Sequence, residues 1–546
     1  MRHRYALGAV VCLVAVQGAA DEQHRHEAEQ LGTVRFPVSC NAAASAGFLR
    51  GVAMMHSFEY DRAEKAFAAA AEADPACAMA HWGVAMSLYH PVWAAGNPSA
   101  APSAADLRRG AAELAQAKTL GGTSARERAF IDALGAFYRD AETADHKTRA
   151  RAFAEAMAAV DRRYPEDDEA AVFHAVALLG TADPRDKSYA VQKDAAAILN
   201  RVLERSPQHP GVAHYLIHSF DYPPLASLAL PAARSYAKLA PSSPHALHMP
   251  SHIFTRLGLW PESIESNLAS AAAARKNLLA GSSFAGSEEL HALDYLAYAY
   301  LQRGQDDDAK AVLDKALAAS EKSQFTSGYA YAAVPARYAL ERRQWADAAS
   351  LTPSAAFDWS RFPYAEAITH FARAVGGARS GQLDTARAGI ERLAAIRALL
   401  IEKKDPFWAD HVEIQRLAAS AWLARAEGRN DEAERLLRSA AELEDRTEKH
   451  PVTPGPVLPA REQLADLLTE LGRPPSAMTE YQAVLVSSPG RLQALYGAAR
   501  AAELAGRAEQ ARTLYTQLLA GTDPASRRAE LVAARRYAGA ATAARD

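Results

Sequence analysis

The sequence predicts an all-α fold built from stacked helical hairpins. Alanine dominates the 546-residue chain, and Gly and Pro fall at breaks rather than throughout. One turn signature, a Gly followed by an acid or amide and then an Ala, recurs along the second half. The length exceeds one ordinary globular core, which calls for several domains or one elongated array.

The chain opens on a basic Met1-Arg-His-Arg and an apolar run from Tyr5 to Val16, closing on Gly18-Ala19-Ala20. Residues 1–20 therefore read as a signal peptide, too short for a permanent span. No later stretch is apolar enough to form a stable membrane span, so the expectation is a periplasmic or secreted protein. Beyond the leader only Cys40 and Cys77 remain, 37 positions apart. In an oxidising compartment they form one disulfide; two separate buried thiols are the other reading. A formal net charge of −3 with mixed signs argues against nucleic acid as a partner.

Residues 21–93 hold a polar lead-in and the first hairpins. Ala43–His56 and Tyr60–Ala73 read as paired helices, with Asp74-Pro75 closing the unit and Trp82-Gly83 on the next helix. Residues 94–210 begin with a Pro-containing loop and continue as helices with a weak repeat signal. Residues 211–320 are rich in histidine, and turns at Leu257-Gly258 and Arg303-Gly304 mark hairpins there. Residues 321–520 carry turns at Arg343, Gly381, Gly428, Gly472 and Gly506. Gly472 and Gly506 are 34 residues apart. Within this part, 446–461 holds too many prolines for a helix; it is a lid over the inner face or a rigid linker. Residues 521–546 read as a basic capping helix.

These turns, the Tyr60–Ala73 pattern and the 34-residue period resemble the tetratricopeptide repeat family (TPR). The resemblance implies a right-handed superhelical solenoid of TPR-like hairpins, in which the first helix of each pair lines a concave face. It further implies a peptide, protein or small-molecule ligand in that groove. His214-Tyr-Leu-Ile-His218 and His245-Ala-Leu-His248-Met-Pro-Ser-His252-Ile-Phe also resemble an exported bacterial TPR subfamily, a likeness that supplies no reaction.

Five of the chain's 18 histidines fall between His214 and His252. His214 and His218 stand i,i+4 on one helix face with Asp221 a turn further, as a ligand or as the group that orients an imidazole. His245, His248 and His252 are spaced 3 and 4; Pro250 is expected to disfavour a helical Met249 and to start a helix with His252 on its first turn, leaving His245 and His248 on a preceding turn. His291, with Asp294, is a further candidate, and His56, His81 and His90 also end or occupy first helices. Neutral imidazoles with one carboxylate suit a transition metal ion, Zn, Cu or Fe. Glu366 and His370 read as a polar pair on a helix face, and the tyrosines from Tyr295 to Tyr331 as packing.

No His-Glu-x-x-His helix, P-loop, Gly-x-Ser-x-Gly elbow or haem attachment motif is present. Two functions follow. In one, the metal sits in a groove that binds a partner; in the other, it keeps an open position and serves a hydrolase or an oxygen-using oxidoreductase.

Overall fold

The computed structural model describes residues 29–95, 101–279, 281–282, 284–321, 324–355 and 357–543. The expected leader, residues 1–20, lies outside them. Regular structure among the described residues is helical throughout, and no helix there is long and apolar enough to cross a membrane. The fold is an all-α helical repeat.

Consecutive helices pair as hairpins, beginning with Ala42–His56 against Tyr60–Ala73. Gly83 shows why small residues stand at the crossings: a Cβ there would lie 2.3 Å from the Phe67 ring. The turns behave as their sequence implies. Gly304 and Gly381 close their helices at φ +71° and +82°, the left-handed geometry glycine adopts without steric cost. Arg343 takes the same role at φ +53°.

The helices between Ala104 and Arg205 pair as hairpins as well, despite their weak repeat signal. Four of these helices are started by side-chain caps: Ser103 with Asp106 and Ser124 with Glu127 form reciprocal capping boxes, and Asp145 and Asp167 cap the next two; the fifth, Ala190–Arg205, follows Tyr189 without one. The lead-in is less polar in place than it reads. Leu31 and Phe36 are buried, and Phe36 meets Phe48, Trp82 and Phe130 at centroid distances of 4.8–5.5 Å.

Cys40 and Cys77 are joined in a disulfide with Cα atoms 4.9 Å apart. It staples the first hairpin to the helix Ala78–Ser87. Closing a loop of 37 residues removes unfolded-chain entropy worth about 4 kcal/mol. A Cys40→Ser/Cys77→Ser variant is expected to lose about that much in urea unfolding. An unchanged midpoint would mean the staple adds nothing to this core.

An open solenoid touches only its neighbouring repeats; this chain also makes contacts far along the sequence. Trp260 Nε1 donates to the Gly490 carbonyl (3.1 Å), Leu492 N to Gln302 Oε1 (3.0 Å) and Ser526 Oγ to the Gly304 carbonyl (2.7 Å). The segment 446–461 turns inward instead of bridging two arrays. Arg337, fully buried, donates to the Pro456 and Gly455 carbonyls and to Thr453 Oγ1 at 2.7–3.1 Å while pairing with Asp294. Pro451 and Val452 of the same segment border a cavity.

Candidate metal centre

The helix Pro210–Phe220 delivers His214 and His218 to one face. A helix begins at Pro250, with His252 on its first turn and His245 and His248 on the turn before it, but Met249 itself keeps helical angles. Met249 sits at φ −54°, ψ −35° between the short helices Pro244–His248 and Pro250–Arg256, and its N–H reaches the His245 carbonyl at 2.9 Å. Pro250 is tolerated because the first residue of a helix has no use for its N–H. His245, His248 and His252 thus share one nearly continuous helical path. His291 comes from the helix Ala285–Arg303.

The histidines converge as two sets of three. In His214/His218/His245 and in His248/His252/His291, the potential donor atoms lie within 4.8 Å of one another. His214 Nε2 stands 3.1 Å from both His218 Nε2 and His245 Nε2, and His248 Nε2 stands 3.0 Å from His252 Nε2. With metal–nitrogen bonds of about 2.0 Å in a tetrahedral site, ligand nitrogens stand about 3.3 Å apart. These three separations lie a few tenths of an ångström below that spacing, and the remaining ones in each set stay within 4.8 Å.

The outer nitrogens are fixed. His214 Nδ1 donates to the His56 carbonyl at 2.6 Å, an acceptor left free because His56 ends its helix. His248 Nδ1 donates to Asn267 Oδ1 at 2.6 Å, and Asn267 is oriented by its own donation to the Ser263 carbonyl. His252 Nδ1 donates to Asp221 Oδ2 at 3.0 Å. In all three rings the lone pair is therefore on Nε2, facing inward. A neutral His214 has one such pair, and two imidazoles converge on it; a cation between the rings satisfies all three. Burial first, then neighbouring imidazoles, pushes His214, His218, His245, His248 and His291 well below the ordinary imidazole value. His252 is lowered by burial against the pull of Asp221.

Asp221 stands behind His252 rather than beside His214 and His218. Besides His252 it meets Lys449 Nζ at 3.1 Å and Arg256 Nε at 2.9 Å, so its oxygens already face three donors. That arrangement makes it an orienting group for the ring, not a member of either set. Burial opposes ionisation of its carboxyl, but Lys449 and Arg256 prevail and hold it well below the usual range. The other candidates have different partners: Asp294 pairs with Arg337, His81 with Glu113 at 2.7 Å, and His370 with Glu366 at 3.1 Å.

Several of the site's residues escaped the sequence reading. Phe58, at φ +54°, sets its ring over His214, His218 and His245 at centroid distances of 4.3, 5.3 and 5.5 Å. Left-handed backbone costs a bulky residue about 1–2 kcal/mol, and here it places an aromatic wall against three imidazoles. Asn267 had a visible signal, the buried polar stripe Ser263, Asn267, Ser270 on one helix face. Lys449 had none beyond its place in the Pro-rich segment. A third group, His56, Glu169 and His209, lies behind the first set. Burial would raise the Glu169 carboxyl, but His209 and then His56 outweigh it and hold it low. With Tyr215 on its other nitrogen (3.0 Å), His56 is clamped, and with it the carbonyl that orients His214.

Both sets face one cavity of about 220 Å³, reached by His218, His245, His252 and His291. Phe58, Trp93, Phe284 and Phe325 form much of its wall, and His450 to Val452 of the Pro-rich segment close one side. Asp61 and Glu288 also border it, and burial pushes the Glu288 carboxyl well up.

No family model and no curated protein matches this chain. Among solved structures it is similar to the Cut9–Hcn1 hetero-tetramer of the APC/C, at 13% identity and a TM-score of 0.35 over 91% of this chain and 76% of that one. Yeast Tom70 aligns at 13% identity and a TM-score of 0.28 over 92% of this chain and 96% of that one. The TPR domain of P58(IPK) aligns at 15% identity and a TM-score of 0.22 over 69% and 99%. Likeness at this level carries neither partner nor activity across.

Proposed function

We propose that this chain is an exported, transition-metal-dependent enzyme on a helical-repeat scaffold. One observation carries the reading: each set supplies three inward-facing imidazoles and borders a cavity of small-molecule size. Structural sites close all four positions with protein, whereas catalytic sites keep one for water or substrate. Three-ligand sets beside a cavity favour catalysis over a groove that only holds a partner. The cavity is also too small for a folded partner and suits a compact, largely apolar ligand. Export is supported by the leader-like residues 1–20 and by the Cys40–Cys77 bridge.

The test is elemental analysis of protein purified from the periplasm, with its N-terminus read, beside a His214→Ala/His218→Ala variant. About two equivalents of Zn, Cu or Fe are expected in the parent and about one in the variant. The mature chain should begin near Asp21. A metal-free parent with intact helicity would refute the metal reading, and a retained Met1 would refute export.

A further inference from the structure

We propose that the two histidine sets are halves of one binuclear copper centre, reduced as two copper(I) ions, that takes up dioxygen from the cavity. This rests on the metal reading above and adds the metal, its coupling and its small-molecule ligand.

The sets are mechanically one unit. His245 of the first and His248 of the second are three residues apart on one helical path, so neither set can move without the other. Rings of opposite sets approach to 6.2 Å (His218 and His252) and 6.3 Å (His245 and His248). One ring of each set, His245 and His291, is partly exposed, and both border the same cavity. A ligand bound at one ion there stands beside the other.

The donor set selects the metal. All six donors are imidazoles; neither set includes a carboxylate or thiolate. Hard ions that prefer oxygen are disfavoured; imidazole suits copper, and among the divalent first-row ions copper binds nitrogen sites most strongly. Charge decides the oxidation state. Two divalent ions would bring four positive charges between neutral rings, next to Lys449 and Arg256, which already occupy Asp221. Two copper(I) ions halve that charge and reduce their mutual repulsion fourfold, since Coulomb energy follows the product of the charges.

The chemistry balances on those ions and dioxygen alone. Each copper(I) gives one electron and becomes copper(II). Dioxygen accepts both, its O–O bond order falls from two to one, and it remains as peroxide between the metals with no proton required. The aromatic wall of Phe58, Trp93, Phe284 and Phe325 gives an apolar diatomic molecule a surface to rest against beside the imidazoles.

The experiment loads the full metal-free chain with copper(I), supplied anaerobically as its acetonitrile complex, and then admits air. Expected are about two coppers per chain, about one dioxygen consumed per chain, and an electron paramagnetic resonance spectrum that stays nearly silent until the protein is denatured, as for two coupled copper(II) ions. His214→Ala/His218→Ala and His248→Ala/His252→Ala should each keep about one copper and consume under a tenth of the parent's dioxygen. His245→Gln and His291→Gln, at the partly exposed positions, repeat the test with less risk to folding, and circular dichroism checks every variant. If each double variant retains about half the uptake, the sets act independently and the proposal fails. If the chain holds two zinc ions firmly but no copper(I), the proposal fails while the metal reading stands. If it binds no metal at all, both fail.

Discussion

Replacing Arg491 with leucine is expected to destabilise the protein by about 3–5 kcal/mol, because it strands buried carboxylates without a cation. Arg491 is fully buried at the start of the helix Leu492–Leu504. It grips Glu462 with two nitrogens at 2.7 and 2.9 Å, pairs with Glu341 at 2.7 Å and donates to Tyr298 Oη at 3.1 Å. Tyr298 lies 193 positions away in sequence, so the loss falls on the contacts that close the array. The defect should depend on pH. Burial already raises the Glu462 carboxyl, with Arg491 opposing; without the arginine it rises further. A carboxyl with a raised folded pKa contributes its stability below the unfolded value near 4.5 and loses it as pH climbs through the folded value. Urea midpoints of parent and variant should therefore lie closer at pH 5 than at pH 8. An equal gap at both would show that lost packing, not stranded charge, is the cause.

Arg337→Leu should cost a similar amount, about 3–5 kcal/mol, and should also open one wall of the cavity. The guanidinium joins Asp294 to two carbonyls and a hydroxyl of the Pro-rich segment, whose His450, Pro451 and Val452 border the cavity. Hydrogen exchange should speed at 452–457 before it speeds in the surrounding helices. Exchange that rises uniformly would mean the segment is held by its own packing, and that Arg337 contributes only to global stability. The two variants separate array closure from cavity closure, since Arg491 makes no hydrogen bond to the Pro-rich segment among the described contacts.

All six imidazoles are legible as candidates in the sequence, five of them for a physical reason: two ligands on one helix must be three or four residues apart. His214 with His218 and His248 with His252 obey that rule, and His245 precedes His248 by three. The sequence could not sort the six rings into sets, because His245 leaves its helical neighbours to complete the set of His214. For the same reason the ring that Asp221 orients is not legible in the sequence. The nearness of Asp221 to His218 is local, while its bond to His252 depends on how two hairpins pack. The orienting groups were the least visible. The His56 carbonyl has no side-chain signature, and Lys449 reaches Asp221 across 228 positions. Between Ala104 and Arg205 the repeat signal is weak, although the capping residues Ser103, Ser124, Asp145 and Asp167 mark four of the five helix starts.

What the sequence by itself determined is the local physics. Alanine-rich amphipathic helices, glycines at left-handed turns and two His-x-x-x-His pairs follow from backbone sterics and helical period, which act over a few residues. Tertiary structure alone decided that the array closes on itself, that the Pro-rich segment folds inward, and that six histidines form two adjoining sets at one cavity. Those outcomes rest on contacts between residues roughly 30 to 230 positions apart, such as His214 with His245, Arg337 with Gly455 and Asp221 with Lys449. Their energies come from burial and charge pairing at a distance, which no local pattern encodes.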